Sequence, residues 1–153
     1  MSLIIASGSN QGNSVELLAE ARDLLSKDFT LVAQSRIYTS RAVDYEAQPD
    51  FFNQVLEFEL PGISPDEVME VLLRIEHRMG RRRIISRGPR TIDLDVIFWG
   101  LDAISTPTLI VPHPRWSERS FVVRPLGELP FFQTIKKCFT IPETFTVEAT
   151  PIN

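Results

Sequence analysis

Cysteine is nearly absent from this 153-residue sequence. Cys138 stands alone, which excludes an internal disulfide framework and any cysteine-based zinc finger and fits a reducing compartment. Lysine is scarce too, at Lys27, Lys136 and Lys137. No Gly-x-x-x-x-Gly-Lys-Ser/Thr loop occurs, so phosphate is not cradled in the P-loop manner. No uncharged apolar run approaches the roughly 18 residues of a membrane span, and Met1 to Asn10 lacks a basic segment ahead of an apolar stretch. A soluble, cytoplasmic protein with no membrane partner is expected. Positive charge is not in excess either: 16 basic against 20 acidic residues leave −4, which argues against a general nucleic-acid binder. At roughly 100 to 200 residues per domain, a single domain over 1–153 is expected. A chain of this length buries about 70% of its unfolded surface and needs no disulfide or structural metal to fold.

Against that acidic background the arginines are unevenly spread. Seven of the thirteen (Arg74, Arg78, Arg81, Arg82, Arg83, Arg87 and Arg90) fall within 74–90, so an anionic ligand is expected there. The flanking pattern supplies the frame. Ser2 to Ser7 reads as a buried strand ending in a Gly8 to Gly12 turn. Asn13 and Glu16 start a helix in capping-box style, and its apolar stripe is Leu17, Leu18, Ala21, Leu24 and Leu25. Thr30 to about Tyr38 alternates as a second strand. Ser40 to Pro49 is an aperiodic loop, and Phe51 to Leu60 is a third strand stopped by Pro61-Gly62. Ser64, Pro65 and Glu67 open a second helix that Gly80 ends, with Val68, Val71, Leu72, Ile75 and Met79 buried. A second aperiodic stretch, Arg81 to Arg90, leads into a strand from Thr91 to Trp99. The order β-α-β-β-α-β predicts an α+β, ferredoxin-like core with helices on one face of an antiparallel sheet. A short hairpin near Ala103 to Ser105 and a helix over Trp116 to Leu129, broken near Pro125, extend it; residues 133–153 have no clear pattern.

The strand after the arginine loop carries the most telling chemistry. In Ile92-Asp93-Leu94-Asp95-Val96 the apolar residues share one face, so Asp93 and Asp95 project together from the other, with Cα atoms about 6.6 Å apart. Paired carboxylates repel unless a cation or proton joins them, and such oxygen donors suit Mg²⁺. For a bare Asp-x-Asp a solvated strand face with two acids is the simpler explanation. The adjacent arginine loop adds a second requirement, because cations gathered beside a metal site imply a polyanion between them, and a nucleoside triphosphate with Mg²⁺ meets both. A helix-terminal charge run accounts for Arg78 but not for the five loop arginines. Pro112-His113-Pro114-Arg115, followed by Arg119 and Phe121, forms a third cluster in which an extended segment holds the imidazole. Phe51 and Asn53 share a strand face, an aromatic ring beside an amide that both donates and accepts; the pair suits a heterocycle edge, or simple packing with a strand-end cap.

Taken in order, the segments AsGSNqG, SriYtS, QPdFfNqV, RIEhrmGRrR, RGPRTIDLDVI, VPHPR and the pair Arg119 and Phe121 closely resemble the 6-hydroxymethyl-7,8-dihydropterin pyrophosphokinase family. The resemblance runs from residue 6 to about 126. It implies transfer of diphosphate from ATP to a pterin alcohol in folate biosynthesis, by in-line attack of the hydroxymethyl oxygen on the β-phosphorus with AMP leaving. It also implies that Asp93 and Asp95 hold two Mg²⁺ ions, that Arg81 and Arg90 clamp the transferring phosphates, and that Asp95 is a candidate proton acceptor. By the same resemblance Arg83, His113 and Arg119 contact nucleotide, while Glu76 and the backbones at Val96 and Ile110 line its ribose and adenine. The pterin lies between Phe51 and Phe121, with Asn53 and the loop at Ser40 to Val43 on its edge. A monomer is expected. The family often has Thr-Pro where Ser40-Arg41 stand, tyrosine at Phe51 and tryptophan at Arg87. Two alternatives carry different expectations: a ferredoxin-like RNA-binding module, which lacks here the aromatic strand motif it needs, and a catalytically silent nucleotide-binding homologue.

Overall fold

Two helices and their caps follow directly from local hydrogen bonding. In the computed structural model, which describes residues 1–42, 48–80 and 91–153, Asn13 caps α1 (Ser14–Leu25) by accepting from the Glu16 amide. Ser64 and Glu67 form a reciprocal capping box at the start of α2 (Pro65–Arg78). Gly12 and Gly80 take left-handed φ angles of 82° and 81°, the turn-in to α1 and the turn-out of α2, where a side chain is strained. The expected loop positions Val43, Arg81, Arg83, Arg87 and Arg90 lie outside the described residues.

The strands are β1 (Ser2–Ser9), β2 (Leu31–Gln34), β3 (Tyr38–Ser40), β4 (Phe51–Glu59), β5 (Asp93–Trp99), the hairpin pair β6 (Ile104–Ser105) and β7 (Ile110–Val111), and β8 (Thr150–Pro151). They make a mixed α+β architecture with an antiparallel main sheet ordered β5-β1-β4-β3-β8, with β2 also on β4. The first strand is two residues longer than its pattern suggested, because Gly8 and Ser9 continue the ladder opposite Asn53 and Phe52. The expected second strand is two strands. Ser35 breaks it, since its Oγ donates to the Arg36 carbonyl and accepts from the Val55 amide, replacing a ladder bond with a side chain.

The expectation of helices on one face needs correction. Leu18, Ala21 and Leu25 of α1 and Val68, Leu72 and Ile75 of α2 pack with Leu3, Ile5, Leu56 and Phe58 on one side. On the other side Ile4, Val55, Ile97 and Phe98 meet Val122, Val123 and Leu126 of α3 (Ser120–Leu126) and Ile135 of α4 (Phe132–Cys138). Alternation along each strand thus feeds two apolar layers, and each fully buried leucine or isoleucine contributes about 1.5–3 kcal/mol. The helix expected over 116–129 is a single 3₁₀ turn (Trp116–Glu118) followed by α3, and the interruption falls at Arg119 rather than Pro125, which sits inside α3. Glu57, buried on β4, accepts from the Ser2 hydroxyl and from the Phe131 amide, so one carboxylate joins the start of the chain to the start of α4.

Candidate active site

The second apolar layer is not filled along its whole length. Beyond the end covered by α3 and α4, the sheet face opens into a cavity of about 700 Å³, counting space open to solvent. Its floor is sheet: Ala6 and Gly8 of β1, Asn53 of β4, and Asp93, Asp95 and Ile97 of β5. One wall carries Ser40, Arg41 and Phe51; the other carries Arg119, Phe121 and Val122 at the start of α3. Residues 6 to 122 in the sequence therefore converge on one space, where Ser40, Phe51, Asn53, Asp93, Asp95, Arg119 and Phe121 stand together.

The strand alternation explains which groups face it. Asp93, Asp95 and Ile97 share one side of β5, while Leu94 and Val96 enter the α1/α2 layer. Register then fixes neighbours: Asp95 pairs with Ala6, and Gly8 lies between Asp93 on one side and Asn53 on the other. Small residues on β1 leave the space above them open. A Cβ on Gly8 would lie 2.9 Å from Asn53 Oδ1. Asn53 is 7% exposed, and its side-chain nitrogen has no hydrogen-bond partner. An orphaned buried donor at a cavity wall costs free energy that an acceptor on a ligand recovers.

Asp93 and Asp95 are both half-buried at the cavity. As two hard oxygen donors side by side they suit a divalent cation such as Mg²⁺. Among the described residues no group of three or more His, Cys, Asp or Glu side chains gathers; Mg²⁺ held by one or two carboxylates commonly completes its shell with waters and phosphate oxygens. A bulge shapes the same strand. Ile97 has no partner in the β1 register, which shifts between Ile4 and Ile5, and its carbonyl instead accepts from the His113 amide at 2.9 Å. The bulge thereby ties the Pro112-His113-Pro114 segment to the outer edge of β5. Burial, and then the charges of Arg119 and Arg115, push the imidazole down to about 4, with Asp93 pulling the other way. The ring is neutral at pH 7. Its Nδ1 accepts from the Arg115 amide at 3.1 Å, which leaves the proton on Nε2 as a donor.

Other anticipated residues are placed differently. Glu76 is buried at the end of α2, and its Oε2 accepts from the Leu94 amide at 2.7 Å, so it holds the β5 backbone between the two aspartates. Val96 is buried in the α1/α2 layer, and Ile110 is 52% exposed on the hairpin. Glu76, Val96, Ile110 and His113 do not line the cavity described above. Gln48 does line it, a residue that sequence reasoning passed over. Its Oε1 accepts from Asn10 at 2.7 Å, and Asn10 also donates to the Pro49 carbonyl at 3.0 Å. The signal for both was present in the blocks AsGSNqG and QPdFfNqV, where Asn10 and Gln48 had no strand or cap to occupy.

Comparison with known proteins gives concordant matches. The family model described as 7,8-dihydro-6-hydroxymethylpterin-pyrophosphokinase matches residues 4–130. A 2-amino-4-hydroxy-6-hydroxymethyldihydropteridine pyrophosphokinase of Bacillus subtilis is 40% identical over 142 residues, covering 92% of this chain and 83% of the relative. Its namesake in Haemophilus influenzae is 37% identical over 127 residues, covering 82% and 79%. The folic acid synthesis protein fol1 of Pneumocystis carinii is 37% identical over 126 residues, which are 82% of this chain and 17% of that protein. The matches thus span most of these two bacterial relatives and a small part of the fungal one.

Proposed function

Because the chain belongs to the 7,8-dihydro-6-hydroxymethylpterin-pyrophosphokinase family, we propose that it transfers diphosphate from ATP to the hydroxymethyl oxygen of 6-hydroxymethyl-7,8-dihydropterin in folate biosynthesis. The observation that carries this reading is the cavity itself: two adjacent carboxylates and a buried, unpartnered amide donor, about two strand spacings apart, in one space with two phenylalanines. The pterin lies between Phe51 and Phe121, and Asn53 donates to and accepts from its edge. Ser40 and Val43 complete that end.

The pterin CH₂–OH oxygen attacks the β-phosphorus of ATP in line. The new O–P bond forms as the bond from the β-phosphorus to the oxygen bridging to the α-phosphorus breaks, AMP leaves with that oxygen, and the hydroxyl proton passes to Asp95 or to water. Positioning and charge neutralisation carry the rate, since phosphoryl transfer leaves little covalent work for the protein. Asp93 and Asp95 hold Mg²⁺, two ions in this reading, which when bound neutralises phosphate charge and lowers the hydroxyl pKa. Arg81 and Arg90 clamp the transferring phosphates through planar forks. Arg83, Arg119 and the His113 Nε2 proton bind nucleotide. Glu76, which also fixes the β5 backbone that presents the aspartates, and the backbones at Val96 and Ile110 line the ribose and adenine.

We read the core as ferredoxin-like, a reading supported by β1 lying between β4 and β5 with antiparallel partners on both sides. We read residues 1–153 as one domain, acting as a monomer in the cytoplasm with no nucleic-acid or membrane partner. No helix among the described residues is long and apolar enough to cross a membrane. The test is incubation with ATP, Mg²⁺ and the hydroxymethyl dihydropterin, with AMP and ADP quantified. Pterin-dependent AMP is expected; ADP as product, or AMP formed equally without pterin, refutes the assignment.

A further inference from the structure

The last part of the chain lies beyond the family match at 4–130, yet it touches both walls of the cavity. On the α3 wall, Arg119, Phe121 and Val122 face the space, while Ser120 between them is fully buried. The Ser120 hydroxyl donates to Glu148 Oε1 at 2.6 Å and accepts from the Ala149 amide at 2.9 Å. One turn on, Arg124 Nε donates to the same Glu148 oxygen at 2.8 Å, its Nη2 donates to the Glu143 carbonyl at 2.8 Å, and its guanidinium lies 5.1 Å from the Phe145 ring centre. Immediately after Ala149, Thr150 and Pro151 pair with Thr39 and Tyr38 of β3, and the Ile152 amide donates to the Ile37 carbonyl at 3.0 Å. β3 ends in Ser40, which pairs with Phe51, and both belong to the opposite wall.

Five residues, Glu148 to Ile152, therefore run from the helix that carries Phe121 to the strand pair that carries Ser40 and Phe51. We infer that the segment Glu143–Ile152 is a strap that sets the width of the ring-binding slot, with Ser120 and Glu148 as positioning residues for the heterocycle. This rests on the reading of the cavity as a pterin site. Width matters because stacking is short-ranged: a gap of about 0.5–1 Å forfeits roughly a quarter to a half of each dispersion contact. The bonds at Glu148 are of the strong class, a hydroxyl and a guanidinium converging on one carboxylate oxygen. β3, only three residues long, has β4 on one side and the strap on the other.

The test is fluorescence titration of the full chain with 6-hydroxymethylpterin, beside thermal melts and steady-state kinetics. Glu148→Ala and Ser120→Ala are expected to weaken pterin binding about five- to tenfold, the scale of one or two lost hydrogen bonds. KM for pterin should rise while kcat at saturating pterin stays within about twofold. Glu148→Gln keeps an oxygen for both donors and should bind within about twofold of wild type. Ser2→Ala, which removes a buried hydroxyl-to-carboxylate bond at the far end of β1, should lower the melting temperature comparably and leave pterin affinity unchanged. If Glu148→Ala fails to fold, Arg124→Gln at a half-exposed position loosens the same carboxylate and is read in the same way. Wild-type affinity in folded strap variants, or equal losses in Ser2→Ala, overturns the inference. A wild-type protein that binds no pterin refutes the underlying reading, and the strap's role with it.

Discussion

Gly8→Ala puts one methyl group into the floor of the cavity, and its effects on folding and on binding should separate. The new Cβ would lie 2.9 Å from Asn53 Oδ1, with the Phe52 carbonyl oxygen next at 3.8 Å. Carbon and oxygen settle at about 3.3–3.6 Å, so the amide must move by about half an ångström. Asn53 borders open space, so the movement is a side-chain rotation, not a shift of the sheet. An off-rotamer amide costs about 0.5–1.5 kcal/mol, and alanine in a strand regains roughly 0.5–1 kcal/mol over glycine. Gly8 is not among the glycines with positive φ, so its backbone accepts alanine. Net stability should therefore change by about 1 kcal/mol or less. Binding has no such offset. An amide turned away from the pterin edge loses two hydrogen bonds, each about 0.5–1.5 kcal/mol, or about 1–3 kcal/mol together, a weakening of roughly five- to 150-fold. Urea unfolding gives the first quantity and fluorescence titration with 6-hydroxymethylpterin the second. An unchanged urea midpoint with pterin affinity within twofold of wild type would refute Asn53 as the recognition group, and a collapse of both would make Gly8 a packing position only.

Three further outcomes are expected. Asp95→Asn should lower Mg²⁺-dependent turnover by at least about tenfold, because a neutral amide is a poor magnesium ligand and a poor proton acceptor; activity within twofold across a magnesium titration argues against the metal role. Arg90→Lys should lower kcat by about tenfold or more, since an ammonium cannot replace a planar fork on two phosphate oxygens; near-normal turnover at saturating ATP removes Arg90 from the transition state. Burial, aided by its bond to Glu128, raises the Tyr38 phenol to about 12. The folded state thus favours the neutral phenol, and this contribution to stability is complete below about pH 10, the unfolded value, and lost as pH rises through about 12. Unfolding free energies of Tyr38→Phe should lack that decline, as measured against wild type between pH 9 and about 12; parallel curves would show that Tyr38 titrates normally.

The parts of the fold legible in the sequence are those whose causes are local. Asn13 with Glu16, and Ser64 with Glu67, specify helix starts within four residues, and the alternation around Asp93 and Asp95 needs no partner to be read. Ser35 was not legible as a strand break, because its hydroxyl acts through Val55, twenty residues away. The second helical layer was legible only in part: α3 falls within the helix expected over 116–129, but α4 is seven residues long, too short for a helical period to stand out, and its start is held by Glu57 of the sheet. At the site, Phe51 and Asn53 could be placed on one face from spacing alone. Phe121 joined them through family resemblance, and Gln48 was missed because Asn10, its partner, is 38 residues distant.

The row Asn53, Gly8, Asp93 across three strands acts as a ruler. Two backbone spacings, about 9.6 Å, separate Asn53, which in the proposed function reads the heterocycle, from Asp93, which in that reading stands at the phosphate end. Main-chain hydrogen bonds fix this length, so loop sequences can change affinity without changing it. Nor can the length be adjusted gradually: slipping a strand by one residue turns its carboxylates into the helical layer, and slipping by two moves them about 6.6 Å along the axis. Substrate size is consequently quantised. A hydroxyl on an arm one carbon long can meet the aspartates while the ring edge rests on Asn53, and a longer arm must give up one end or the other.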